Sequence, residues 1–147
     1  MKRRSFIGCL AAVAVAPWAH AQDARQATLY KNPQCGCCED YAKYLRGHGF
    51  KVEVIPTHDL DAIKTKHGVP ESLGGCHTTL LNGYVVEGHV PVGAIERLLR
   101  ERPRIRGVSL PGMPQGSPGM TGRKKDRFTI YEIGTQAAGK PQVYAVE

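Results

Sequence analysis

Cys35-Gly36-Cys37-Cys38 puts three cysteines into four residues, directly after an apolar run at Ala27, Leu29 and Tyr30 and directly before a helical pattern. Packing does not account for three thiols on one turn, since a disulfide uses two and a buried structural cysteine uses one. One reading is a redox pair, Cys35 and Cys38 in CxxC spacing, with Cys37 as a bystander. The other is a nest of thiolates for a soft metal. Both want the cysteines on a strand-to-helix turn. There the unpaired N–H groups and the positive helix end favour thiolate, lowering a thiol pKa below its ordinary value of about 8.5.

The start of the chain decides which compartment those thiols meet. Lys2, Arg3 and Arg4 precede an apolar run from Phe6 to Val15, and Ala19-His20-Ala21 gives a small-x-small cleavage site. Residues 1–21 are therefore expected to be a cleavable signal peptide. The run is too short for a permanent membrane anchor. Arg3-Arg4-Ser5-Phe6-Ile7 resembles a twin-arginine export motif, with an ordinary secretory leader as the competing reading. Cys9 and His20 leave with the leader. Export to the periplasm would place Cys35, Cys37, Cys38 and Cys76 in an oxidising compartment. There, thiols become disulfides, stay reduced for catalysis, or are held by metal.

The remainder, 22–147, has the length and composition of one compact domain, the whole chain being 41% apolar and 22% charged. Loss of Lys2, Arg3 and Arg4 lowers the net charge from +7 to +4. Its basic residues are scattered, and only Arg123-Lys124-Lys125 cluster. That pattern excludes a nucleic-acid footprint, and nothing marks the domain as membrane-embedded.

Hydrophobic periodicity predicts a strand at 27–30 and, from Glu39, a helix carrying Tyr41, Tyr44 and Leu45 that ends at Gly47 and Gly49. A second strand holds Phe50, Val52 and Val54 and stops at Pro56. Asp59 is placed to cap a short helix with Leu60 and Ile63, closed at Gly68. The stretch 69–77 reads as a loop leading to a strand at 78–81. Asn82-Gly83 is a hairpin signal, and Tyr84 to Glu87 is the returning strand. Pro91 opens a helix with Val92, Ile95, Leu98 and Leu99 on one face, ending before Pro103. Residues 111–122 hold four Gly, three Pro and two Met, and read as a loop. Two strands, 128–133 and 142–146, close the chain as a hairpin.

This α/β order, with a CxxC spacing on the first strand-to-helix turn, is that of a thioredoxin-like domain with a mixed sheet flanked by helices. In such a domain the loop before the third strand faces the cysteine turn. Cys76 and His77 occupy that loop, so a fourth sulfur and an imidazole are expected to meet the first three. His89 lies between a strand end and a helix start, where a rim ligand or an ordinary surface histidine would sit. Met113 and Met120 offer thioethers, soft ligands for Cu(I), or packing for a lid. His48, His58 and His67 follow helix ends or turns and are expected to be solvated.

Together, Tyr30-Lys31-Asn32-Pro33-Gln34-Cys35-Gly36-Cys37-Cys38, Gly75-Cys76-His77-Thr78, the segment Gly83 to Pro91 and Pro111-Gly112-Met113-Pro114 resemble the small bacterial CopG-type copper-resistance proteins. The resemblance runs from Tyr30 to about Met120. It implies a periplasmic, thioredoxin-like protein that binds several copper ions in a cysteine-bridged cluster and takes part in copper tolerance, with copper redox conversion as a further role. By position it makes Cys35, Cys37, Cys38 and Cys76 the metal ligands, with His89, Met113 and Met120 as further candidates; separately, His77 or His89 is placed to complete the coordination or admit Cu(II). Other periplasmic copper-handling proteins are the expected partners. Two further readings stand beside it: a thiol–disulfide oxidoreductase using Cys35 and Cys38, and a structural zinc site of four cysteines.

Overall fold

The computed structural model describes residues 24–135 and 140–147, so the expected leader falls outside the described residues. Strand β1 (Gln26–Lys31) runs into helix α1 (Gly36–Gly47), and β2 (Lys51–Pro56) follows, parallel to β1. Helix α2 (Leu60–Lys66) and a 3-10 turn (Glu71–Leu73) lead to β3 (His77–Leu81), antiparallel to β1. Asn82 and Gly83 adopt positive φ, as a two-residue hairpin requires, and return the chain as β4 (Tyr84–Gly88). Helix α3 (Val92–Glu101) then crosses over to β5 (Gly107–Leu110), parallel to β4. Antiparallel β6 (Thr129–Ile133) and β7 (Val143–Val146) complete one mixed sheet in the order β2-β1-β3-β4-β5-β6-β7.

Side chains alternate across this sheet and sort into two cores. On one face, Ala27, Leu29, Leu81, Val86, Val108 and Ile130 pack with α1 and α3. Helix α1 buries Cys38, Tyr41, Ala42 and Leu45, a three-four-seven spacing that gives one face of a helix. Helix α3 buries Ala94, Ile95 and Leu98. Opposite residues, Val85 and Ile133, form a smaller core with Val69 and Leu73. His77 and Thr79 share the first face with Leu81, whereas Thr78 and Glu87 point to the second.

The mixed sheet with flanking helices is the expected fold class, but its details differ from the pattern reading. Helix α1 begins at Gly36, so Cys37 and Cys38 lie in its first turn and Cys35 at the N-cap. Helix α2 has no buried residue, and Asp59 makes no capping bond from its side chain. Instead Thr57 Oγ1 accepts the Asp59 N–H at 3.0 Å. Strand β5 was not anticipated: four residues behind an arginine-rich lead are too short for a legible alternation. The segment 111–122 has no helix or strand, as expected. None of the described helices is long and apolar enough to cross a membrane.

Candidate metal centre

The cysteine turn is shaped by the residues just before it. Asn32 accepts twice, from Gln34 N–H at its side-chain oxygen (3.1 Å) and from Cys35 N–H at its carbonyl (3.0 Å). Lys31, with its ammonium buried, donates to the Pro33 carbonyl at 3.2 Å and pairs with Glu39 at 3.1 Å, tying β1 to the first turn of α1. The turn therefore arrives with its cysteines already aimed.

Cys76, ending the loop before β3, meets them. Its Sγ lies 3.6 Å from Cys38 Sγ and 3.8 Å from Cys37 Sγ, and Cys37 Sγ lies 3.5 Å from Cys35 Sγ. All four sulfurs fall within 4.8 Å of one another. Cys35 and Cys38 are joined as a disulfide, while Cys37 and Cys76 are free thiols. Cys38 is buried, and the other three sulfurs belong to half-buried residues. Burial, and then the neighbouring Cys37, push the Cys76 thiol up to about 12.

Two imidazoles flank Cys76 on its other side. His77 Nδ1 is 3.3 Å and His89 Nε2 is 3.0 Å from its sulfur, and both histidines are fully buried. Burial holds the His77 pKa well below the usual range, with His89 adding to the effect, and burial lowers His89 as well. Both rings are therefore neutral at pH 7 and carry a free lone pair. His89 Nδ1 donates to the Pro118 carbonyl at 2.6 Å, which leaves Nε2 as the lone-pair nitrogen facing Cys76. His77 Nε2 is buried without a partner.

Tyr41 fills the space behind the rings, 4.6 Å from His77 and 5.4 Å from His89 between centroids, with its hydroxyl donating to the Val90 carbonyl at 2.8 Å. The 111–122 loop closes over the helix start. Gly119, at φ +79°, sits so near α1 that a Cβ there would lie 2.6 Å from Tyr41 N and 3.1 Å from the Cys37 carbonyl oxygen. Only glycine fits this approach and this backbone.

Once the Cys35–Cys38 disulfide is reduced, the donor set is four sulfurs and two neutral imidazoles, with no carboxylate among them. Such a set suits a soft or borderline ion such as Cu(I) or zinc. The structure brings together six of the eight residues singled out from sequence. Met113 is exposed at 44% with φ +45°, and Met120 is half-buried one residue beyond Gly119; neither thioether has a described contact with the sulfurs. His58 is exposed, His48 is exposed against Tyr44, and His67 is half-buried away from the site. Three contributors escaped the sequence. Tyr41 reads as one more apolar helix position, Lys31 falls just past the strand predicted at 27–30 and carries no role there, and the Pro118 carbonyl is backbone.

A family model described as "Protein of unknown function, DUF411" matches residues 73–120, the span from the Cys76 loop through the 111–122 loop. No curated protein matches. Two solved structures do, titled "Copper resistance protein copG- Form 2" and "Copper resistance protein copG- Form 1". Each is 40% identical and covers 83% of this chain, over 97% and 96% of those chains, at TM-scores of 0.75 and 0.74.

Proposed function

Because the chain belongs to the family of the copper resistance protein CopG, we propose that it is an exported, periplasmic copper-binding protein of thioredoxin-like fold, and that it contributes to copper tolerance. Cu(I) is its cargo, held by Cys35, Cys37, Cys38 and Cys76 as thiolates. The observation that carries this reading is the arrival of Cys76 Sγ within 3.8 Å of both Cys37 and Cys38 from a loop 38 residues away. Four sulfurs serve more than one ion only by sharing. Cys76 is placed to share, since it also touches His77 and His89. The half-buried Cys35 and Cys37 give a side from which ions enter and leave. The neutral imidazoles extend the donor set toward nitrogen, which Cu(II) accepts, and this supports a role in copper redox conversion. The domain layout belongs to the same proposal: a leader at 1–21, removed on export, and a metal-binding domain at 22–147.

A second reading rests on the Cys35–Cys38 disulfide. Those two residues are the attacking and resolving pair of a thiol–disulfide oxidoreductase, and while bonded they are unavailable to copper. Metal binding therefore needs the reduced protein. The two readings separate in protein purified from the periplasm of copper-grown cells. Copper in excess of zinc, with the thiols reduced, is expected. Metal-free protein that reduces insulin, and still does so with Cys37 and Cys76 replaced by serine, would favour the oxidoreductase instead.

A further inference from the structure

Glu87 lies in the Gly83–Pro91 segment but has no part in the metal centre described above. Its side chain is fully buried on the sheet face opposite His77, and both carboxylate oxygens are hydrogen-bonded. Oε1 accepts the Gly75 N–H at 2.7 Å and the Lys64 ammonium, while Oε2 accepts the Thr78 hydroxyl at 2.7 Å. Lys64, reaching over from α2, also donates to Thr78 Oγ1 at 3.2 Å. Gly75 and Thr78 bracket Cys76-His77, so one carboxylate grips both ends of the segment that carries a sulfur and an imidazole into the site.

Stability does not explain this arrangement well. A buried ion pair returns little net free energy after desolvation, and an apolar replacement of similar volume is often neutral or better. What the pair does provide is geometry. The Gly74-Gly75 approach has no side chain of its own to anchor it. A Cβ at Gly75 would lie 2.7 Å from Gly88 Cα, so the loop must slide in against β4 as bare backbone. Glycine backbone in a loop is otherwise free to wander. Ser109 Oγ holds the Leu73 carbonyl at 2.6 Å just before the glycines, and the Glu87 carboxylate adds a fixed point at Gly75 itself, from behind the sheet.

We infer that Glu87, neutralised by Lys64, is the positioning residue for Cys76: it sets the sulfur's distance to the cysteine turn without touching it. The inference rests on the copper-site reading only for its consequence, because the position of Cys76 can be tested without metal. Such outer contacts tune metal affinity by about 10- to 100-fold.

The test uses the chain from Gln22 with the Cys35–Cys38 disulfide intact. A Cys37→Ser background leaves Cys76 as the free thiol, and a Cys76→Ser background leaves Cys37. Alkylation by iodoacetamide is timed in each. Glu87→Ala is expected to speed Cys76 alkylation by about tenfold, the equivalent of one lost hydrogen bond to a charged group, and to leave Cys37 unchanged. Glu87→Gln, which keeps an acceptor for Gly75, is expected to stay near wild type.

An unchanged Cys76 rate in folded Glu87→Ala overturns the inference. So does an equal rise at both thiols, which would mean general loosening, and so does a Gln variant as loose as the Ala variant. If Glu87→Ala does not fold, Thr78→Val releases one of the two tethers and carries the same measurement. A faster Cys76 supports the inference there, and an unchanged rate overturns it. In the reduced wild-type background, Glu87→Ala should also weaken Cu(I) binding in competition with a chelator. Wild-type protein that binds no Cu(I) would instead count against the proposed function, leaving the alkylation result to judge Glu87.

Discussion

Replacing Cys76 with serine is expected to remove most of the copper that the reduced protein takes up under anaerobic loading. The effect should exceed that of any other single cysteine, because Cys76 is the hub. Its sulfur stands 3.0 to 3.8 Å from His89 Nε2, His77 Nδ1, Cys38 Sγ and Cys37 Sγ. Cys35, by contrast, has a described contact with Cys37 and its bond to Cys38. Serine nearly preserves the shape, so the fold should survive, but a hydroxyl does not serve as a soft ligand. Copper per chain, by elemental analysis after desalting, should fall by more than half. Unchanged stoichiometry would mean that the turn alone binds copper and that the Cys76 loop is a neighbour, not a partner.

The largest effect on the fold is expected from Gly107→Ala. Gly107 sits in β5 opposite Val85 of β4, and a Cβ there would overlap the Val85 carbonyl oxygen, 2.6 Å from its carbon and 2.8 Å from the Val85 nitrogen. The obstruction is backbone in the middle of a sheet, so no rotamer change relieves it. The two strands must part or slip, which exposes Val86 and Val108 in the main core and Val85 in the smaller one. A loss of about 3 kcal/mol or more is expected, at the upper end of what single substitutions do. Thermal unfolding should show a midpoint about 10 °C lower. Ala at Gly83, where nothing lies within 4 Å of the added Cβ, isolates the cost of a positive φ and serves as the comparison.

These two residues also mark what the sequence could and could not reveal. The cysteine turn and Cys76 were legible because chemistry-bearing residues fell on element boundaries that apolar periodicity had already drawn. Asn82-Gly83 fixed the β3–β4 hairpin through a backbone requirement that few residues meet. Gly107 was invisible, since a glycine that admits a neighbouring carbonyl looks like any loop glycine until the neighbour is known. Periodicity starts helix α1 three residues late, at Glu39, because Cys37 and Cys38 read as turn, whereas the helix takes them into its first turn. The Glu87 carboxylate bonds Gly75 and Thr78 on either side of Cys76-His77, and the Pro118 carbonyl bonds His89; such support leaves no local pattern.

The redox state of the turn links the fold to the chemistry. The same convergence that would let four sulfurs share metal ions also lets Cys35 and Cys38 close on each other. In an oxidising compartment, copper and the disulfide would compete for the same two atoms. Reduced protein is therefore the form in which a cysteine-bridged site for more than one Cu(I) would assemble.

X-ray absorption at the copper edge of reduced protein, loaded anaerobically and desalted, reads the ligands and the copper neighbours together. A Cu(I) edge, a first shell dominated by sulfur, a second scatterer that is another copper, and more than one copper per chain are expected. A single isolated copper without a copper neighbour, or a first shell of nitrogen and oxygen alone, would contradict the cysteine-bridged site.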